Sequence, residues 1–184
     1  MHAFTRRQGF TLAALATAGL IPGAAAQGRG GELRIGMTLA DIPTARGAPD
    51  QGGEGIRWMG FTIYDSLVYW NLNQDRTIPE IVPALAERYY PNPDDPREWI
   101  FELRRGVTFH DGSEFDADAV IWNIEKVAKR DAPQYDPQQR LTLAFRIPGI
   151  RTWRRIDAFT VAIGNDVPDA SMPDQVVFLH ISSP

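Results

Sequence analysis

The sequence predicts a mixed α/β fold, on three observations. Residues 99–104 and 159–163 alternate apolar and polar side chains with the two-residue period of a half-buried strand. Between them, 117–129 changes to the 3.6-residue period of an amphipathic helix, opened by Asp116. Turn clusters of Gly, Pro, Asn and Asp separate these segments, and 184 residues suffice for one ordinary domain.

The first 26 residues read as an export signal outside that domain. Arg6 and Arg7 give a basic start, 10–21 is apolar and Ala-rich, and Pro22-Gly23 breaks any helix. Ala24 to Ala26 are the small residues a signal peptidase needs, which puts cleavage between Ala26 and Gln27. The apolar run is short for a membrane span. Gln8 and Gly9 separate Arg7 from Phe10 and no Lys follows, so the twin-arginine (Tat) and general secretory (Sec) routes both stay open.

After a Gly-containing linker at 27–31, residues 32–38 read as a strand with Leu33, Ile35 and Met37 on one face. Residues 41–55 form a long aperiodic loop. Residues 56–72 read as mostly helix, with Ile63, Leu67 and Trp70 spaced for one face, a strand remaining open for the start. Pro83 suits the first turn of a short helix over 84–88, and 92–96 is a turn. In the strand 99–104, Trp99, Phe101 and Leu103 point one way and Ile100, Glu102 and Arg104 the other. Gly106 allows a bend, 107–109 reads as a second strand, and His110-Asp111-Gly112 as a tight turn. The following helix carries Val120, Ile121, Ile124, Val127 and Ala128 as its buried stripe, with Lys126, Lys129 and Arg130 at the end where cations are favoured. A loop covers 131–137. Residues 150–156 and 159–163 form a hairpin about Asp157-Ala158, 167–173 is a loop, and 175–181 fits helix or strand.

Composition excludes several chemistries. With no cysteine there is no disulfide, thiol nucleophile, thiolate metal site or lipid-modified Cys. Without Arg6 and Arg7, 17 basic residues face 23 acidic ones, a net charge of −6 that argues against nucleic acid. The sequence lacks a G-x-S-x-G elbow, a phosphate-binding G-x-x-x-x-G-K-[ST] loop and a zinc-binding H-E-x-x-H helix. Beyond His2, only His110 and His180 remain. His110 beside Asp111 invites a catalytic reading, but both fall in the expected turn. Asp111 with Glu114, or Asp116 with Asp118, has the composition of a glycosidase pair, against which stand a turn and a helix cap. The aromatics between Trp58 and Trp70 fit a ligand pocket or the core equally well. Thr38, Asp41, Ile42 and Thr44 follow the C-terminal end of the first strand, where open α/β sheets place ligands, and are the candidate ligand contacts. No catalytic residue, metal ligand or cofactor is assigned.

Several blocks resemble one family in its own order. They are the opening strand 32–38, Ile63-Tyr64-Asp65-Ser66-Leu67-Val68, Pro83-Ala84-Leu85-Ala86-Glu87, and above all Phe101-Glu102-Leu103-Arg104-Arg105-Gly106-Val107-Thr108-Phe109-His110-Asp111-Gly112, continued by Ala117-Asp118-Ala119-Val120, with the hairpin strand 157–163 and the Ser-Pro of 181–184 after them. The family is the peptide/nickel class, family 5, of bacterial extracellular solute-binding proteins. Arg88-Tyr89 stands where Ser-Trp is frequent there, and Ala119 where a second Asp is common.

The resemblance implies a type II periplasmic binding protein-like fold of two lobes around a cleft, here an N-terminal fragment with an incomplete first lobe. It places the signal at 1–26, the start of lobe I at 27–55, a small extra subdomain at 56–150 and the return into lobe I at 151–184. It implies a monomeric periplasmic carrier, not an enzyme, that holds a peptide or related small solute for an inner-membrane ATP-binding-cassette permease. The alternative is an exported carboxylate-dependent hydrolase. A single cleft wall is expected to bind solute negligibly, and the return hairpin is expected to have open edges.

Overall fold

The computed structural model describes residues 34, 36, 55–73 and 77–184. Residues 1–26, read as a signal with cleavage expected between Ala26 and Gln27, and nearly all of 32–54 therefore lie outside the described residues. Arg34 and Gly36, the two exceptions, have no regular structure. By internal contacts the chain divides into 1–35 and 36–184; everything below concerns the second unit.

The helix expected through most of 56–72 forms only at its start. A π-helical turn, Ile56–Gly60, runs into a single α-turn, Phe61–Ile63 (α1). Tyr64 is extended (φ −109°, ψ 148°), and Val68–Trp70 is a strand, β1. The strand thus lies at the end of the segment, and Ile63, Leu67 and Trp70 do not share a helix face. A β-branched residue followed by two aromatics favours the pleated conformation, and non-local pairing fixes it. β1 pairs antiparallel with β2 (Ile81–Pro83), and the amides of Ala84 and Ala86 both donate to the Leu67 carbonyl, at 3.1 and 2.9 Å. Pro83 closes β2 in a two-stranded sheet, where a missing N–H is tolerated. The short helix expected over 84–88 is absent; Ala86–Pro91 is a strand, β3. An isolated helical turn is weak, and pairing with the next strand satisfies more backbone groups.

That next strand is β4, Glu98–Leu103, reached through the turn expected at 92–96. There the Asn92 and Asp95 side chains accept from the amides of Asp94 and Arg97. β5 (Thr152–Asp157) and β6 (Thr160–Gly164) make the expected hairpin, closed where the Asp157 carboxylate accepts from the Phe159 amide at 2.8 Å. The four strands form one antiparallel sheet in the order β3-β4-β6-β5. β6 is paired on both sides, so the hairpin has a strand partner, while β5 stands at the edge of this sheet. The sheet also joins residues on either side of position 150.

One face carries Tyr89, Trp99, Phe101, Leu103, Val161 and Ile163 into the core, where Phe101 and Ile163 have no exposure. Tyr89 stacks on Phe101 at 6.1 Å. The opposite face is polar around Ile100 and Ala162: Arg154 makes two bonds to Glu98, at 3.0 and 2.7 Å, and Tyr90 donates to Glu102 at 3.0 Å.

Helix α2, Ala117–Ala128, packs over β5 and β6. The Asp116 side chain accepts from the Ala119 amide at 2.9 Å, as expected of a cap. Ala117, Val120, Ile124 and Val127 are buried, while Ile121 and Ala128 are half-buried. A further helix, α3 (Pro137–Leu143), was not expected. Asp136 caps it through the amides of Gln138 and Gln139, with Pro137 at its first position. The 175–181 segment begins inside a short helix, α4 (Met172–Val176), and ends in a bridge between Ile181 and Asp65. Residues 107–109 contribute one bridge, Thr108 to Glu114, instead of a strand. Gly106 (φ 72°) and Gly112 (φ 88°) take the left-handed conformation at the bends expected of them.

The segment after α4 is held by Asn123, 3 % exposed. Its Nδ2 donates to the Ser182 carbonyl at 2.7 Å, and its Oδ1 accepts from the Ser182 amide at 3.1 Å and hydroxyl at 3.0 Å.

Two substitutions test this reading in urea unfolding. Asp116→Ala is expected to cost about 1 kcal/mol through the lost cap. Gly112→Ala is expected to cost about 1–2 kcal/mol, because an L side chain is strained at that φ.

Candidate functional site

Two open grooves meet at Tyr64 and Asp65. The bridge between Asp65 and Ile181 sets their position: the Ile181 amide donates to the Asp65 carbonyl at 2.8 Å, which fixes where α1 hands over to β1. Asp65 itself is exposed and lines both grooves.

The first groove has a volume of about 320 Å3 and runs between Tyr64-Asp65, the turn 107–111, and 181–183. Its polar rim includes Asp111, Ser182 and Ser183, with Ser113 bonded to Asp111. Asp111 accepts from the Ser113 amide at 2.9 Å, from its hydroxyl at 2.6 Å, and from the Ser183 hydroxyl at 2.5 Å. These donors, the Ser113 hydroxyl foremost, hold the Asp111 carboxyl down at about 2. His110 and Asp111 are both exposed at an outer bend, as the turn reading expects, and no hydrogen bond joins them among the described residues. A serine nucleophile needs an adjacent general base, most often an imidazole that a carboxylate orients. Here Ser183 donates straight to Asp111, a very weak base that does not activate its hydroxyl.

Two of the other acidic candidates are also engaged. Asp116 caps α2, and Asp118 pairs with Arg155 at 2.8 Å. A glycosidase needs one carboxylic acid held protonated by a raised pKa. Asp111 is shifted the opposite way.

The second groove, about 480 Å3, is walled by Phe61, Tyr64, Tyr69, Trp70 and Leu72, with Arg57 and Asp65 at the rim. The aromatics of 58–70 thus divide between the two roles weighed for them. Phe61, Tyr64, Tyr69 and Trp70 line the groove, Trp70 also packs against the core, and Trp58 is exposed outside both grooves. Behind the groove wall, Phe61 packs against Trp70 at 6.2 Å, Phe178 at 6.1 Å and the ring of His180 at 5.0 Å, the last edge-to-face.

The ligand contacts expected from sequence, Thr38, Asp41, Ile42 and Thr44, lie outside the described residues. The sequence reading did not single out Asp65 or Ser183. Both sit inside blocks that resembled the family, but their meeting with the turn at Asp111 and with Ile181 comes only through long-range folding. Among the described residues no cluster of His, Asp or Glu is arranged to hold a metal ion, and no helix is long and apolar enough to cross a membrane.

Because hydrogen bonds to the ionised form lower the Asp111 pKa, Ser113→Ala is expected to raise it from about 2 toward the ordinary 3.8. Side-chain carboxyl 13C NMR titration between pH 1.5 and 6 reads this directly. An unchanged midpoint would show that the serine hydroxyl is not the dominant cause.

Comparison with known proteins gives one family and one fold. The model for bacterial extracellular solute-binding proteins, family 5, middle region, matches residues 80–182, more than half of the chain. A dipeptide-binding protein from Pseudoalteromonas sp. SM9913, solved with Met-Leu, superposes with a TM-score of 0.61 at 21 % identity, covering 74 % of this chain and 28 % of that one. The periplasmic binding protein DppA from Helicobacter pylori, solved with the peptide STSA, gives 0.57 at 24 %, over 74 % and 28 %. NikZ from Campylobacter jejuni, solved with Ni(L-His), gives 0.56 at 19 %, over 76 % and 25 %. The chain spans about a quarter of the length of these structures. At such identities they establish the fold, that of type II periplasmic binding proteins.

Proposed function

The chain belongs to family 5 of the bacterial extracellular solute-binding proteins, and from that premise we propose that it is part of a periplasmic receptor that holds a small peptide or a solute of similar size. The receptor acts as a monomer, reaches the periplasm by an N-terminal signal, and passes its cargo to an ATP-binding-cassette permease in the inner membrane. It performs no chemistry on the cargo.

One observation carries this reading beyond the family. The two grooves are open and share an exposed carboxylate, Asp65, between an aromatic wall and a serine-lined rim. Such a surface offers stacking and polar contact without an activated nucleophile. Asp65 supplies a counter-charge for a cationic group such as a peptide ammonium, with Thr38, Asp41, Ile42 and Thr44 as further contacts. The surface is one wall of a cleft. A single wall leaves most of a ligand in water, so the chain by itself binds weakly.

The test is an amide NMR titration of the chain with the dipeptide Met-Leu to several millimolar. Shift changes are expected at Tyr64, Asp65, Tyr69 and Ser183, with a dissociation constant weaker than about 1 mM. Asp65→Asn is expected to reduce them at least threefold. The dipeptide is expected to stay intact for days. Cleavage of the dipeptide would establish the hydrolase instead, and shifts confined to other surfaces would remove the grooves from consideration.

A further inference from the structure

His180 is 5 % exposed, and neither of its ring nitrogens has a hydrogen-bond partner. Buried polar atoms are almost always paired, and leaving two unpaired is costly. The cost is bearable only while the imidazole is neutral and behaves as one more aromatic ring. Its setting suits that form. Phe61 meets it edge-to-face at 5.0 Å, Phe61 also packs on Phe178, and Phe178 meets Trp70 edge-to-face at 5.2 Å.

The charged groups around this cluster offer no compensation for an imidazolium. Arg146, which follows α3, has its guanidinium 5.6 Å from the Phe178 ring and disfavours a second positive charge. Phe61 and Trp70, from α1 and β1, are neutral. Asp174 on α4 accepts from Trp70 Nε1 at 3.5 Å. Asp65, bridged through its backbone to the adjacent Ile181, is exposed on the groove side.

We propose that His180 is an acid-sensitive pin. Protonating its imidazole expels the ring from the Phe61–Phe178 cluster, releases the Asp65–Ile181 bridge and loosens the wall shared by both grooves, while the four-stranded sheet stays folded. The use of this opening, to let a solute go in acid, rests on the solute-binding reading above; the opening itself does not.

The direction follows from burial first and Arg146 second, which hold the His180 pKa down to about 4 against an ordinary 6.5. The pinned state is therefore fully favoured above pH 6.5 and loses ground as pH falls from 6.5 to 4.

Amide hydrogen exchange of the full chain at pH 7.5 and 4.5, corrected for intrinsic rates, tests the pin. Exchange at Ile181 and over 65–68 is expected to rise roughly tenfold or more relative to the amides of β4 and β6. His180→Leu, which cannot take a proton, is expected to abolish the difference. His180→Gln is a second neutral variant should the leucine protein fold poorly. An equal rise in the sheet, or an unchanged acid response in either folded variant, would overturn the proposal. So would a His180 imidazole midpoint above pH 6 by 13C NMR. Loss of the dipeptide shifts with the acid response intact would sink the solute reading and leave the pin standing.

Discussion

The pairing of β4 with β6 is the interaction on which the rest of the structure depends. It aligns Glu98 with Gly164 and Glu102 with Thr160, far apart in sequence, and both strands are bonded on two sides. Closing so long a loop has an entropic cost before any contact forms. Burial of Phe101 opposite Val161, and of Ile163 beside Trp99, offsets it on the apolar face. Helices α2 and α3 lie in the loop so closed, and α2 then covers the sheet that closed it. The turn that lines the first groove follows β4 directly. The groove is thus positioned by the sheet, although none of its polar rim belongs to a strand.

The same distinction explains how much of the fold was legible in the residues. The cap at Asp116, the helix behind it, the hairpin at Asp157 and the bends at Gly106 and Gly112 are local devices, and each forms where its residue types require it. Residues 64–72 and 84–88 misled because their local signals are weak. A Pro and a few good helix formers suggest one turn of helix, while the strands there exist only through partners elsewhere in the chain. α3 is a different failure: Asp136-Pro137 is a cap followed by a first-turn proline, so the signal was present and was read as part of a loop. At the site, His110 and Asp111 were readable as a bend from three consecutive residues. The meeting of Asp65 with Ile181, and of Asp111 with Ser183, was not, since a single sequence gives no register between distant segments.

The acidic side chains near the grooves are largely committed to holding the fold. Every carboxylate that composition offered to catalysis, Glu114 excepted, has a structural occupation: a turn for Asp111, a cap for Asp116, an ion pair for Asp118. Glu114 contributes its backbone to the bridge that closes the same turn. Aromatic rings instead face the open space, and these bind by area and shape without changing bonds. That division of labour is what a family of solute-binding proteins calls for.

The clasp at Asn123 has a mechanical consequence. One primary amide grips both the carbonyl and the amide of Ser182, much as one peptide unit grips another, and Lys126 one turn later reaches the same residue's hydroxyl at 3.4 Å. Tension applied at Pro184 therefore meets the Ser183–Asp111 bond and then the grip of α2 on Ser182 before it arrives at the Asp65–Ile181 bridge. The helix and the turn at Asp111 thus share the anchoring of residues 182 and 183, ahead of the aromatic wall.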